Sequence, residues 1–167
     1  EPRDASLALL GSLQGRGKKP GEELIIFSKS NQSFVIAFWA AVLGGHVPVP
    51  VAEGISDEHK LKLFRILTQL ENPTLFTEMD LLQSLLDFAR DSERPDITEL
   101  LDTHAVLISD VEPGSHGEVH PAQPGDTGFI QYSSGSTSDP KGVVLTHRNL
   151  CVNVRAIVEA LEWGEDE

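Results

Sequence analysis

Cysteine is almost missing from this sequence: Cys151 stands alone, so no disulfide can close within the chain and its order must come from a packed core. No charged segment followed by an apolar stretch opens the chain, and together with the lone thiol this leads us to expect a reducing, cytoplasmic setting. An initiator Met is also absent, as expected of a piece of a longer protein. Long apolar runs are missing too. The longest, Phe34 to Leu43, is about half of the ~20 residues that a membrane span requires, so it reads as a buried helix and no membrane partner is expected. Positive charge is scarce, with 13 Lys+Arg against 26 Asp+Glu and a formal net charge of −13. That balance argues against a nucleic-acid surface, which needs a basic stripe, and any bound anion must be met by a few local cations.

What is present suits one globular unit or one large piece of it, since 167 residues with 40% hydrophobic content can build a real core without metals or disulfides. Apolar periodicity predicts a helix over Ala5 to Gln14 ending at Gly15-Arg-Gly17, then a strand from Leu24 to Phe27. Asn31 is placed to cap a helix from Gln32 to Leu43, stopped by Gly44-Gly45. Val47-Pro-Val-Pro-Val51 reads as a strand whose prolines put it at an edge or a strand end. Ser56 or Asp57 caps a further helix with Leu61, Phe64, Leu67 and Thr68 on one face. Pro73 to Phe76 is the next strand, Met79 to Ala89 a helix, Arg90 to Asp96 a polar connector and Ala105 to Ile108 a buried strand. Residues 112–126 form a Pro/Gly loop without periodicity. Thr146 caps a last helix through Leu161, with Val152, Ala156, Ile157 and Ala160 on a recurring face and Cys151 in its core pattern. The alternation predicts an α/β fold with a largely parallel sheet flanked by helices.

The stretch from Phe129 to Asn149 demands a chemical explanation. Two apolar runs, Phe129 to Tyr132 and Val143 to Leu145, flank a tip of hydroxyls, glycines and Lys141. Gly135 and Gly142 let backbone N–H groups turn toward a ligand, Ser133, Ser134, Ser136 and Thr137 add hydroxyl donors, and Lys141 supplies charge. Pro140 fixes the approach to the lysine. The expected ligand is a polyphosphate held on a β-hairpin. A Walker A loop is excluded because Pro140 falls where its second glycine belongs and Gly142, not Ser or Thr, follows Lys141. The Gly-x-Ser-x-Gly elbow of hydrolases is absent as well.

Other candidates carry less. His116-Gly-Glu-Val-His120 spaces two histidines like a zinc protease, but Pro113, Gly114 and Pro121 argue against the helix such a site needs. No metal ligands are assigned. His147 and Arg148 follow the hairpin closely enough to add positive potential, or simply begin a helix. The acidic runs near Asp57, Asp91 and Glu165 read as solvated faces.

Tyr132-Ser-Ser-Gly-Ser-Thr-Ser-Asp-Pro-Lys-Gly142 resembles the phosphate loop of adenylate-forming enzymes, the ANL superfamily of acyl-CoA synthetases, luciferases and peptide-synthetase adenylation domains. It departs from the family pattern at Ser138, where glycine is usual. Phe34 to Val51 also resembles the family's early helix-then-strand segment, and Phe129-Ile-Gln-Tyr132 is most similar to fatty-acyl-AMP ligases and to the loading domains of polyketide and peptide synthases. The resemblance implies activation of a carboxylic acid by ATP, with Mg2+, to an acyl-adenylate and pyrophosphate, followed by transfer to a thiol of CoA or of a carrier protein's phosphopantetheine. It implies that Ser133, Ser134, Gly135, Ser136, Thr137, Lys141 and Gly142 bind the nucleotide, with Lys141 stabilising phosphate charge. The family's adenine and ribose segments and its lid lysine have no counterpart here, so residues 1–167 are expected to be part of the N-terminal subdomain of an adenylation domain, without a complete catalytic set and inactive alone. The alternative is a noncatalytic α/β module that keeps the hairpin for ligand or partner binding.

Overall fold

The computed structural model describes residues 1–54, 56–112, 114–133 and 139–161. Its elements, in order, are α1 (Pro2–Gly15), β1 (Glu23–Ile26), α2 (Asn31–Gly44), β2 (Val47–Pro50), α3 (Asp57–Gln69), β3 (Thr74–Thr77), α4 (Met79–Asp91), α5 (Pro95–His104), β4 (Ala105–Leu107), a 3-10 turn (Ile108–Asp110), β5 (Thr127–Ser133), β6 (Lys141–Thr146) and α6 (His147–Ala160). Strands β1 to β4 form a parallel sheet in the order β2-β1-β3-β4. This is the α/β architecture expected from the alternation of patterns.

Residue alternation along the short strands divides the core in two. Leu24, Ile26, Phe76 and Val106 face α1 and α2, joining Leu9, Leu10, Leu13 and the small residues Ala37, Ala40 and Ala41. Ile25, Val49 and Leu75 face the opposite way, against Leu63, Phe64, Ile66 and Leu67 of α3, Leu85 and Ala89 of α4, and Ile97 and Leu101 of α5. A sheet covered by helices on both faces needs strands that are apolar throughout, and Leu24, Ile25 and Ile26 are all buried.

β2 is an edge strand, as its prolines require. The N–H groups of Val47 and Val51 donate to Glu22 and Ile26 of the β1 segment at 2.9 and 3.0 Å. Pro48 and Pro50 fall between them, where the missing donors break no ladder bond. β5 lies beside β2 but pairs only with β6, as an antiparallel hairpin.

Three expectations need correcting. The cap of α2 is Ser30 rather than Asn31: the Ser30 hydroxyl accepts from the Ser33 N–H at 3.2 Å, and the helix closes on Gly45 at φ +69°. The buried face of α3 is Leu63, Phe64, Ile66 and Leu67, while Leu61 and Thr68 are exposed; the sheet and α5 enclose the helix more widely than a single stripe. The polar connector from Arg90 to Asp96 hides the start of α5. Pro95 opens that helix, and Ile97 and Leu101, one turn apart, are fully buried. The turn into α5 uses Glu93 at φ +53° in the left-handed region, where glycine would normally mark the break.

Between the 3-10 turn and β5 the chain runs back over α1 and α2 as a strap. The N–H of Gly117 donates to Leu7 O at 2.8 Å, and Ser115 Oγ to Ala8 O at 3.1 Å. Gln14 bonds both backbone groups of Glu118, at 2.8 and 2.7 Å. The His120 N–H donates to Leu43 O at 2.8 Å. The strap carries the chain toward the hairpin.

Candidate functional site

The hairpin positions its charged groups through register. Thr127 pairs with Thr146 at the base, and Ser133 pairs with Lys141 at the far end, next to the connecting turn. Ser133 is the last residue of β5 and Lys141 the first of β6, both exposed. No hydrogen bond or ion pair to the Lys141 ammonium is found among the described residues, so it is available to an anion. In a chain of net charge −13, such a cation is what an anion would need. Ser134, Gly135, Ser136, Thr137 and Ser138 lie outside the described residues.

Gly142 has a packing reason of its own. It sits opposite Tyr132, and a Cβ there would stand 2.9 Å from Ile130 Cγ2 and 3.2 Å from Tyr132 Cζ. The glycine lets the Tyr132 ring lie across the hairpin, where Tyr132 and Ile130 join the core cluster beneath the sheet. Burial, with a lesser contribution from Glu23, pushes the Tyr132 phenol above its ordinary range. Phe129, on the opposite face, meets Phe38 of α2 edge-on at 6.2 Å. The hairpin is thus anchored by aromatics at its stem, and Pro140 is buried beside the exposed Asp139.

The start of α6 is satisfied from within. The Thr146 side chain accepts from the Asn149 N–H at 3.2 Å, and Asn149 Oδ1 accepts from the Thr146 N–H at 2.9 Å, a reciprocal capping box. The His147 and Arg148 N–H groups donate to Asp126 O and Pro124 O at 3.1 and 2.9 Å. These helix-start donors are therefore spoken for, and the anion-binding capacity of this region rests on the hairpin end and on the side chains of His147, Arg148 and Arg155, which line a groove with Cys151. Cys151 is exposed, not in the core: α6 contributes no fully buried residue, and Val152, Ala156, Ile157 and Ala160 of its expected apolar face are all exposed. His116 and His120 lie in the strap, outside any helix.

Sequence reasoning missed the reciprocal half of the capping box, although Thr146-His-Arg-Asn149 carries the right spacing once Asn is allowed as the reaching side chain. It also assigned Gly142 to ligand approach alone. The cross-strand glycine–tyrosine pair was the available signal.

The whole stretch from residue 3 to residue 167 matches the family model described as AMP-binding enzyme. A long-chain-fatty-acid–AMP ligase of Mycobacterium marinum is 30% identical over 152 residues, covering 89% of this chain and 23% of the ligase. Among solved structures, McyG A-PCP complexed with phenylalanyl-adenylate superposes with TM-score 0.85 at 26% identity, covering 99% of this chain and 30% of that one. The adenylation domain of a keto acid-selecting peptide-synthetase module bound to keto acyl adenylate gives TM-score 0.80 at 28% identity, with 95% and 28% covered. The chain spans about a quarter of the length of the curated fatty-acyl-AMP ligases it matches. Fold, hairpin and family match agree: the chain belongs to the AMP-binding enzyme family.

Proposed function

We propose that this chain is the front portion of a ligase that activates a carboxylic acid with ATP, forming an acyl-adenylate and releasing pyrophosphate before the acyl group passes to a thiol. The observation that carries the reading is the hairpin that sets an unclaimed Lys141 across from Ser133 within a chain matching the AMP-binding family from end to end. Lys141 would hold the triphosphate as a point charge and Ser133 would donate its hydroxyl; both position and stabilise charge rather than attack. Ser134, Gly135, Ser136, Thr137 and Gly142 are proposed to complete the cradle with backbone and hydroxyl donors. When bound, ATP supplies the phosphoanhydride whose cleavage drives acid activation. Magnesium has no cluster of three or more His, Cys, Asp or Glu to hold it among the described residues, so no step is assigned to it in this portion.

A fatty acid is the proposed substrate class. The relatives support it, as fatty-acid–AMP and fatty-acid–CoA ligases recur among them, and Gln131 in the hairpin agrees. The acceptor is proposed to be a carrier-protein phosphopantetheine or CoA. We further propose that the 167 residues do not adenylate by themselves. Supporting this, α6 buries none of its residues and Val143, Val144, Val152 and Ile157 remain exposed along β6 and α6, a face suited to covering by the remainder of such an enzyme. Acid-dependent ATP–pyrophosphate exchange, screened with fatty, aryl and amino acids on the natural full-length protein, tests the reading. Exchange with fatty acids is expected; no exchange with any acid would refute it, and exchange confined to amino acids would refute the substrate class.

A further inference from the structure

The strap over α1 and α2 ends against a group of ionisable side chains that the nucleotide reading does not use. His46, between α2 and β2, is 4% exposed, and its Nε2 has no hydrogen-bond partner. The ring is boxed in: a Cβ at Gly44 would come within 2.8 Å of His46 Cδ2. Its charged and polar surroundings come from two segments. The turn between α1 and β1 brings Lys18, Glu22 and the Lys19 backbone, the last two favouring a proton on the ring. The strap brings His120, whose ring covers Gly45 so closely that a Cβ there would meet His120 Cδ2 at 2.5 Å. The turn itself is tied to Gly45 by the Gly21 N–H, which donates to Gly45 O at 2.8 Å. Glu22 is poorly matched to its neighbours, since Lys18 Nζ stands 3.9 Å from Oε2 and that oxygen is buried without a hydrogen bond.

We propose that Lys18, Glu22, His46 and His120 form a proton-sensitive latch that fastens the strap, residues 115–120, to α1 and α2 at neutral pH and loosens it on acidification. The physical reason is that a proton on His46 has no good place to go. Burial opposes the charged ring most strongly, and Lys18 and His120 oppose it further; the Lys19 backbone and Glu22 favour it but do not compensate, so His46 titrates below its ordinary 6.5. When the strap lifts, His46 meets water and recovers its ordinary affinity for a proton. The open state therefore binds more protons than the closed one, and closure weakens as pH falls below about 6.5. Because the strap delivers the chain to β5, the latch ties the hairpin's entry to proton concentration, whatever reaction the hairpin serves.

Amide hydrogen exchange of the natural full-length protein between about pH 7.5 and 5.5 tests this directly. After correction for intrinsic exchange, protection of the Gly117, Glu118 and His120 N–H groups should fall by up to about tenfold per pH unit below the ordinary histidine range, while the amides of β1 and β3 hold. The His46 ring, followed by NMR in the same sample, should titrate below 6.5 in step with the strap. His46→Gln should abolish the slope. Strap protection that stays constant or rises on acidification would overturn the latch; a rise would mean that Glu22 captures the charged ring. A His46 midpoint at or above 6.5 would overturn it as well, and the wild-type titration decides the matter if the Gln variant fails to fold.

Discussion

Ser133 and Lys141 are register partners at the far end of an antiparallel hairpin, so a hydroxyl donor and an unclaimed ammonium are held across one strand pair. Pairing fixes the separation of the two backbone positions before any ligand arrives, so only the side chains remain to be ordered on binding. Lys141→Ala in the full-length protein should therefore weaken ATP binding about 10- to 100-fold, the usual range for a lost charge-assisted phosphate contact. Lys141 is exposed, so unfolding free energy should change by less than about 0.5 kcal/mol. Titration calorimetry and urea unfolding check the two halves; unchanged affinity removes Lys141 from the site.

Gly142→Ala probes the stem rather than the ligand. The new methyl would press on Ile130 Cγ2 and the Tyr132 ring, and overpacking of this kind costs about 1–3 kcal/mol. Urea unfolding should show that loss, and the near-ultraviolet signal of Tyr132 should change. A neutral result would contradict the close approach of the strands at this pair.

The two faces of α3 give a paired test. Leu63 is 0% exposed and Leu61 36% exposed, so Leu63→Ala should cost about 2–5 kcal/mol and Leu61→Ala less than about 1 kcal/mol. Equal losses in urea unfolding would return Leu61 to the core.

How far the sequence announces this structure depends on where burial comes from. Prolines in β2 betray an edge because they remove donors, and Thr146 betrays a helix start because its hydroxyl has one geometric use. The α3 face was misjudged because a helix under a sheet and a second helix buries more than one stripe, which periodicity alone does not reveal. α5 stayed hidden behind Glu93, a left-handed residue without the glycine that marks such turns. Cys151 looked like core because its neighbours repeat at helical spacing, yet periodicity says only that a face is apolar and not what covers it. The hairpin itself was legible from its two apolar runs around a turn-rich tip, whereas the strap and its histidines were not, since their contacts join residues more than 70 positions apart, Gly45 to His120 among them.

Thr146→Ala separates local from global stability. Losing the cap should weaken the first turn of α6 by about 1 kcal/mol, raising exchange at the amides of Asn149 and Leu150. Since α6 buries nothing, the global unfolding midpoint should barely move. A large global loss would mean that α6 is packed more tightly than its exposure indicates.

Acid adenylation is tested most directly by incubating the natural full-length protein with ATP, Mg2+ and a long-chain fatty acid, with no thiol present, and resolving the products by mass. The account predicts fatty-acyl-AMP and pyrophosphate, both diminished in Lys141→Ala; ADP and phosphate in their place, or no consumption of ATP, would contradict it.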